Sequence, residues 1–147
     1  MTSPDITKQQ RNARGSAITE SAASFFLLFT ALVGLVAGLS IATIYSAGWY
    51  LNYLETRQAS LYSTTADSQK AIADTKRTWF NSAFAKFAGV RKIEDVTEAV
   101  NYTAPAGTTD GAVQVDTTVI GHLLLTGTPI TTQFTGKALV EHSNVSQ

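Results

Sequence analysis

The chain has 147 residues, balanced acidic and basic side chains with a formal net charge of zero, and no cysteine. A neutral chain lacks the basic patch that nucleic-acid binders carry, so nucleic acid is not an expected partner; without cysteine, neither a disulfide framework nor thiolate chemistry is available. Setting aside one membrane-length segment leaves roughly 90 residues, enough for one small domain with a thin core.

Residues 1–15 read as a basic leader, with Lys8, Arg11 and Arg14 against Asp5. They show no apolar periodicity, and the expectation is that they lack regular structure. A helix is expected from about Ser16, capped by Ser16 or Thr19, with Glu20 in its first turn, where a negative charge suits the macrodipole. No charge interrupts the run from Ser21 to Leu54. As a helix that run would be about 50 Å long, against about 30 Å for the hydrocarbon core of a bilayer. Residues 16–57 are therefore expected to form a transmembrane helix that projects beyond the membrane. Glu20 stands at its entrance, and a carboxylate there is costly unless it is paired or functional. Gly34 and Gly38 form a small-xxx-small pair, extended by Ala31 and Ala42, that lets another helix approach closely; glycine and alanine are also simply common in membrane helices. Tyr45, Trp49, Tyr50 and Tyr53 form the aromatic band of a membrane–water interface. Positive charge precedes the span, while Glu55 and Arg57 cancel after it, so the N-terminus is expected in the cytoplasm and residues 58–147 outside as an exported domain.

In that domain the helix is expected to run on or to bend near Ser63-Thr64-Thr65. A second amphipathic helix is expected from about Asp67 to Ala88, with Ile72, Trp79, Phe80, Phe84 and Phe87 at helical spacing and Gly89 as its cap. This aromatic stripe is expected to be the core face, packed on strands. The competing reading lays it on a membrane surface, because Lys76, Arg77, Lys86, Arg91 and Lys92 flank it. Val96–Tyr102 alternates loosely. Residues 104–111 carry strong turn signals. Ala112–Leu125 reads as a strand, with Val113, Val115, Thr117 and Val119 on one face, and Ile130–Glu141 as a second, with Ile130, Thr132 and Phe134 together and Gly136 at a bulge. The fold class is α+β: a long N-terminal transmembrane helix, a second amphipathic helix and a small C-terminal antiparallel sheet.

No catalytic, cofactor-binding or metal-binding constellation emerges. His122 and His142 lack ligand neighbours at useful spacing, and no glycine-rich loop opens a helix after a strand. Glu94, Asp95 and Glu98 are explained by a solvated loop or helix end. An enzyme is the least supported class, and no cofactor is expected.

Arg14-Gly15-Ser16-Ala17-Ile18-Thr19-Glu20, followed at once by the apolar run, resembles the processing site of type IV prepilins. In that family a prepilin peptidase cuts after the glycine, and a glutamate follows at a set distance; Gly15 and Glu20 take those positions, with Ser16 as the new N-terminus. The wider pattern is similar to the TadE/TadG-like pseudopilins of tight-adherence systems, which have a short basic leader, one long helix and a small mixed domain ending in paired strands. Ser21 departs from it, since these families often have an aromatic residue there. The resemblance implies a minor pilin or pseudopilin of a type IV, tight-adherence-like pilus or related secretion system. Its partners would be a prepilin peptidase, the membrane and other pilin-like subunits bound through the helix. It would lie in the bacterial inner membrane, single-pass, with its C-terminal domain periplasmic or carried into an extracellular pilus. In such assemblies the α-amino group of Ser16 on a neighbouring subunit would offset Glu20. Two alternatives stand beside this: a single-span signal-anchored protein with a periplasmic binding domain, and a secreted protein cut by an ordinary signal peptidase after Ser40-Ile41-Ala42.

Overall fold

The computed structural model of the protein describes residues 4–62, 64–103 and 111–140, with side chains from Gly15 onward. The protein is α+β, with a long apolar N-terminal helix, a second helix and a three-stranded antiparallel sheet. The chain divides into two compact units, Met1–Val36 and Ala37–Gln147.

The first helix, α1, spans Pro4–Ser60. The leader expected to lack regular structure is thus helical from Pro4. Proline suits the first helical position, and Lys8 to Arg14 contains no breaker. In the first unit the side chains from Gly15 to Leu35 are all exposed, with Phe25, Phe26, Leu27 and Leu28 each at about 70%. Water is a poor solvent for so continuous an apolar surface. The stretch is long and apolar enough to cross a membrane, and the roughly 20 residues that a bilayer requires are available before Ser40.

The second unit begins at Ala37, so the part of α1 from Ala37 to Ser60 belongs with the sheet. From Ser40 onward α1 buries one stripe: Ser40, Ile44, Ala47, Gly48, Leu51, Asn52, Glu55, Thr56, Ala59 and Ser60. These positions recur every three or four residues, one face of a helix. α1 stops at Ser60, where Leu61 and Tyr62 donate to the carbonyls of Gln58 and Ala59 in a tightened last turn. Thr64 caps the second helix, α2 (Thr65–Phe80), by accepting from Asp67 N–H at 3.2 Å. Buried Ser68 ties α2 to the end of α1 through a 3.1 Å bond to the Ala59 carbonyl.

The helix expected to continue to Ala88 breaks at Asn81-Ser82. Asn81 turns its amide back to the Arg77 carbonyl at 3.0 Å, and Ser82 caps a new short helix, α3 (Ala83–Phe87). Polar side chains that bond their own backbone compete with helix continuation. The break splits the aromatic stripe. Trp79 is buried and Phe80 packs against the core, but Phe84 is 50% exposed and Phe87 67%. The expectation that all four aromatics are core residues is therefore corrected for Phe84 and Phe87. Gly89 ends α3 at φ +67°. Its N–H reaches the Lys86 carbonyl and that of Val90 reaches Ala85, a Schellman ending that favours glycine.

The sheet order is β1 (Val96–Thr103), β2 (Ala112–His122), β3 (Pro129–Leu139), every pair antiparallel. Central β2 alternates as its sequence does, with Val113, Val115, Thr117 and Val119 buried. It ends at His122 rather than Leu125, because Leu123–Thr128 closes a turn with Gly127 at φ +67°. β3 buries Thr132 and half-buries Ile130 and Phe134 on the expected face. Gly136 is not at a bulge: it pairs with Val115 in unbroken register. A Cβ there would collide with Thr56 and Asn52 of α1, so this glycine lets the helix approach the sheet. Residues 104–110, His142 and the last residues of the expected second strand lie outside the described residues.

Candidate functional site

The sequence singles out Gly15, Ser16, Glu20, Gly34 and Gly38. Glu20 does not sit in the first turn of α1, as expected, and neither Ser16 nor Thr19 caps the helix. All three are interior to it. The Thr19 hydroxyl donates back to the Gly15 and Ser16 carbonyls, each at 2.9 Å, and the Ser16 hydroxyl donates to Glu20 Oε1 at 3.1 Å. Residue 16 and the Glu20 carboxylate therefore stand one turn apart on one face. The helix-cap explanation of Glu20 fails for this chain, because the helix begins at Pro4. Gly15, Gly34 and Gly38 each have open space where a Cβ would stand. Among the described residues nothing fills the small-residue surface at Gly34 or at Gly38.

A second constellation was not legible from the sequence. Between two apolar clusters, one around Ile44, Leu51 and Val119 and one around Ala59, Val113 and Val115, α1 places a layer of polar side chains. Asn52 donates through Nδ2 to the Val115 carbonyl and to Thr117 Oγ1, both at 2.9 Å, and more weakly to the Phe134 carbonyl at 3.3 Å. Thr117 in turn donates to Glu55 Oε2 at 2.6 Å. Glu55 has no solvent exposure. It lies about four turns beyond Ser40, in the sheet-packed part of α1 and outside the bilayer-length stretch.

Burial pushes the Glu55 carboxyl up to about 8. The Thr117 hydroxyl opposes that shift; the charge of Glu98 reinforces it, and that of Lys76 opposes it. Glu98 itself is bridged by Lys76 Nζ at 2.8 Å. The deeply buried Glu55 acid is held neutral by its desolvation. Glu55 Oε1 and Glu98 Oε1 are buried and have no hydrogen-bond partner among the described residues. A signal for this site existed: Asn52 and Glu55 continue the helical stripe of Ile44, Gly48 and Leu51. Pairing Glu55 with Arg57 by adjacency concealed it, for Arg57 is exposed.

An open groove of about 890 Å³ runs beside α1 and α2, lined by Tyr50, Leu54, Tyr62, Thr75, Trp79 and Phe84. Among the described residues no three His, Cys, Asp or Glu side chains stand together as a metal site. His122 holds the Gly89 carbonyl through Nδ1 at 2.9 Å, a structural contact between β2 and the end of α3. Asp116, on the open face of the sheet, is held below its usual carboxylate range by the Thr135 hydroxyl and the Gln114 amide. Comparison with protein-family models, curated proteins and solved structures finds no match to this chain.

Proposed function

We propose that this protein is a minor pilin or pseudopilin, matured by a prepilin peptidase between Gly15 and Ser16 and assembled with other pilin-like subunits through α1. The single observation that carries the reading is the Gly15-to-Glu20 spacing at the head of a helical stretch whose apolar side chains are all exposed. Cleavage would convert Glu20 from an interior residue into one in the first turn of the mature helix. It would also create an α-amino group at Ser16, the nearest new cation. On a neighbouring subunit that amine offsets the Glu20 carboxylate and sets the axial register of two helices. Open space at Gly34 and at Gly38 is what a close helix neighbour needs, and the small α+β domain has the composition that the resemblance implies. The exported domain would face the periplasm, or the outside once in a filament.

The groove beside Trp79 favours one alternative, a single-span anchored protein whose exported domain binds a ligand. Glu20→Ala separates the two. In the pilin reading the variant inserts and is cleaved normally but is lost from the assembly, because removing one partner of a desolvated pair costs about 3–5 kcal/mol. Normal co-purification of the variant with pilus components would refute the pairing.

A further inference from the structure

We propose that the exported domain rests on the surface of the bilayer that anchors it, held there by an apolar and basic collar formed by α3 and the β2–β3 turn. This rests on the reading of α1 as a membrane anchor. Within the domain, α1 meets the sheet in reverse order along β2. A Cβ at Gly121 would touch Ile44, whereas Asn52 contacts Val115 and Ala59 joins the cluster of Val113. The helical residues of this unit before Ile44, Ala37 to Thr43, therefore lie toward the end of the sheet that carries the β2–β3 turn. α3 ends at the same place: the Ala88 carbonyl accepts from His122 N–H, and a Cβ at Gly127 would touch the Arg91 guanidinium.

This end of the domain exposes what water disfavours. Phe87 is 67% exposed, Leu124 66% and Leu125 56%, on two short segments, α3 and the β2–β3 turn, that have no reason to share a surface other than their position. Phe84 meets Tyr50 with ring centroids 5.7 Å apart and planes tilted by 32°, joining the patch to the aromatic band of Tyr45 and Trp49 on α1. Exposed Lys86, Arg91 and Lys92 surround it, the complement of anionic headgroups. Of the two acids nearby, Asp95 is turned inward, accepting from the backbone N–H groups of Arg91 and Lys92, and Glu94 is exposed. Apolar side chains ringed by basic ones, tethered next to a bilayer, form an interfacial binding surface. The tether keeps the lipid at high effective concentration, so even a weak collar docks.

The chain contains no cysteine, which permits single labels. The full chain is reconstituted into vesicles of phosphatidylcholine with phosphatidylglycerol at low protein-to-lipid ratio. An environment-sensitive fluorophore is placed at Phe87→Cys or Leu125→Cys, with Leu32→Cys as a reference in the span and Lys137→Cys at the far end of the sheet. Lipids brominated near the headgroup quench labels at the surface, and lipids brominated deep in the acyl chain quench the label at 32. The collar predicts quenching at 87 and 125 and none at 137. Changing Lys86, Arg91 and Lys92 to glutamine lowers the docked-to-free ratio by about fivefold per residue. Quenching at 32 with solvent-like labels at 87 and 125 would overturn the collar and leave the anchor intact. No quenching at 32 would overturn the anchor and the collar together. Shifts at 87 and 125 that depend on protein concentration instead of lipid would assign the patch to a second copy and contradict the proposal.

Discussion

The two parts of α1 are nearly alike in composition and behave differently. From Ser21 to Val36 the helix carries no charge and is apolar on all sides, and every side chain from Gly15 to Leu35 is exposed. From Ser40 to Ser60 it is almost as apolar, yet one face is buried against the sheet. The difference lies in the placing of small and polar residues. Gly48 of α1 and Gly121 and Gly136 of the sheet remove the Cβ atoms that would hold the two layers apart, and Asn52 and Glu55 bond to the strands they meet. A helix surrounded by lipid needs neither device. One packed on a sheet needs small residues for close approach and partners for the polar groups it covers.

Truncation breaks this comparison most strongly. Leu51→Ala should destabilise the domain by about 2–5 kcal/mol, because Leu51 is wholly buried. Leu28→Ala, equally apolar but 72% exposed, should change it by less than about 0.5 kcal/mol. Urea unfolding of the full chain in detergent micelles, followed by tryptophan fluorescence, measures both. Equal effects would remove the distinction between the two parts.

The next effect is that of pH on Glu55. The folded-state value of about 8 lies above the ordinary 4.5, so between those limits the folded chain binds more protons than the unfolded one. The contribution of the protonated acid is complete below about 4.5 and is lost as the pH rises through about 8. Stability should fall by a few kcal/mol across that window. In Glu55→Gln, which keeps a neutral side chain of the same shape, the same titration should be nearly flat. An unchanged slope in the variant would assign the proton elsewhere.

A smaller loss is expected for Asn52→Ala, about 1–3 kcal/mol, because the Val115 carbonyl and the Thr117 hydroxyl then lose a buried donor. Smallest of all is Phe84→Ala, which should cost no more than about 1 kcal/mol in unfolding, since half of that ring is already in solvent. Trp79→Ala, on the other side of the Asn81-Ser82 break, should cost about 3–5 kcal/mol. Equal costs at 79 and 84 would mean that the stripe is continuous after all.

Much of the fold was legible because its signals are local. The uncharged run, the alternation along Val113–Val119 and the glycine after α3 each encode their own element. Val96–Thr103 was only loosely visible as a strand, since its inward positions mix Val96, Val100 and Tyr102 with Glu98. The Asn81-Ser82 break was hidden because aromatic spacing continues across it, while the side-chain bonds that end α2 leave no periodic mark. Gly136 suggested a bulge by its residue type, and only the position of Thr56 on another element explains it. The Glu55–Glu98–Lys76 group joins α1, β1 and α2, a proximity that exists only in three dimensions. The Gly15–Glu20 motif is the opposite case: it is wholly legible in sequence, and the structure adds that Glu20 is interior to a helix that begins at Pro4.

The most direct test of the functional account is the mass of the mature N-terminus, measured on protein expressed with its cognate prepilin peptidase. The account predicts a chain that begins at Ser16, and a Gly15→Leu variant that stays at full length. A wild-type chain that retains residues 1–15, or one that begins at Thr43, would contradict it.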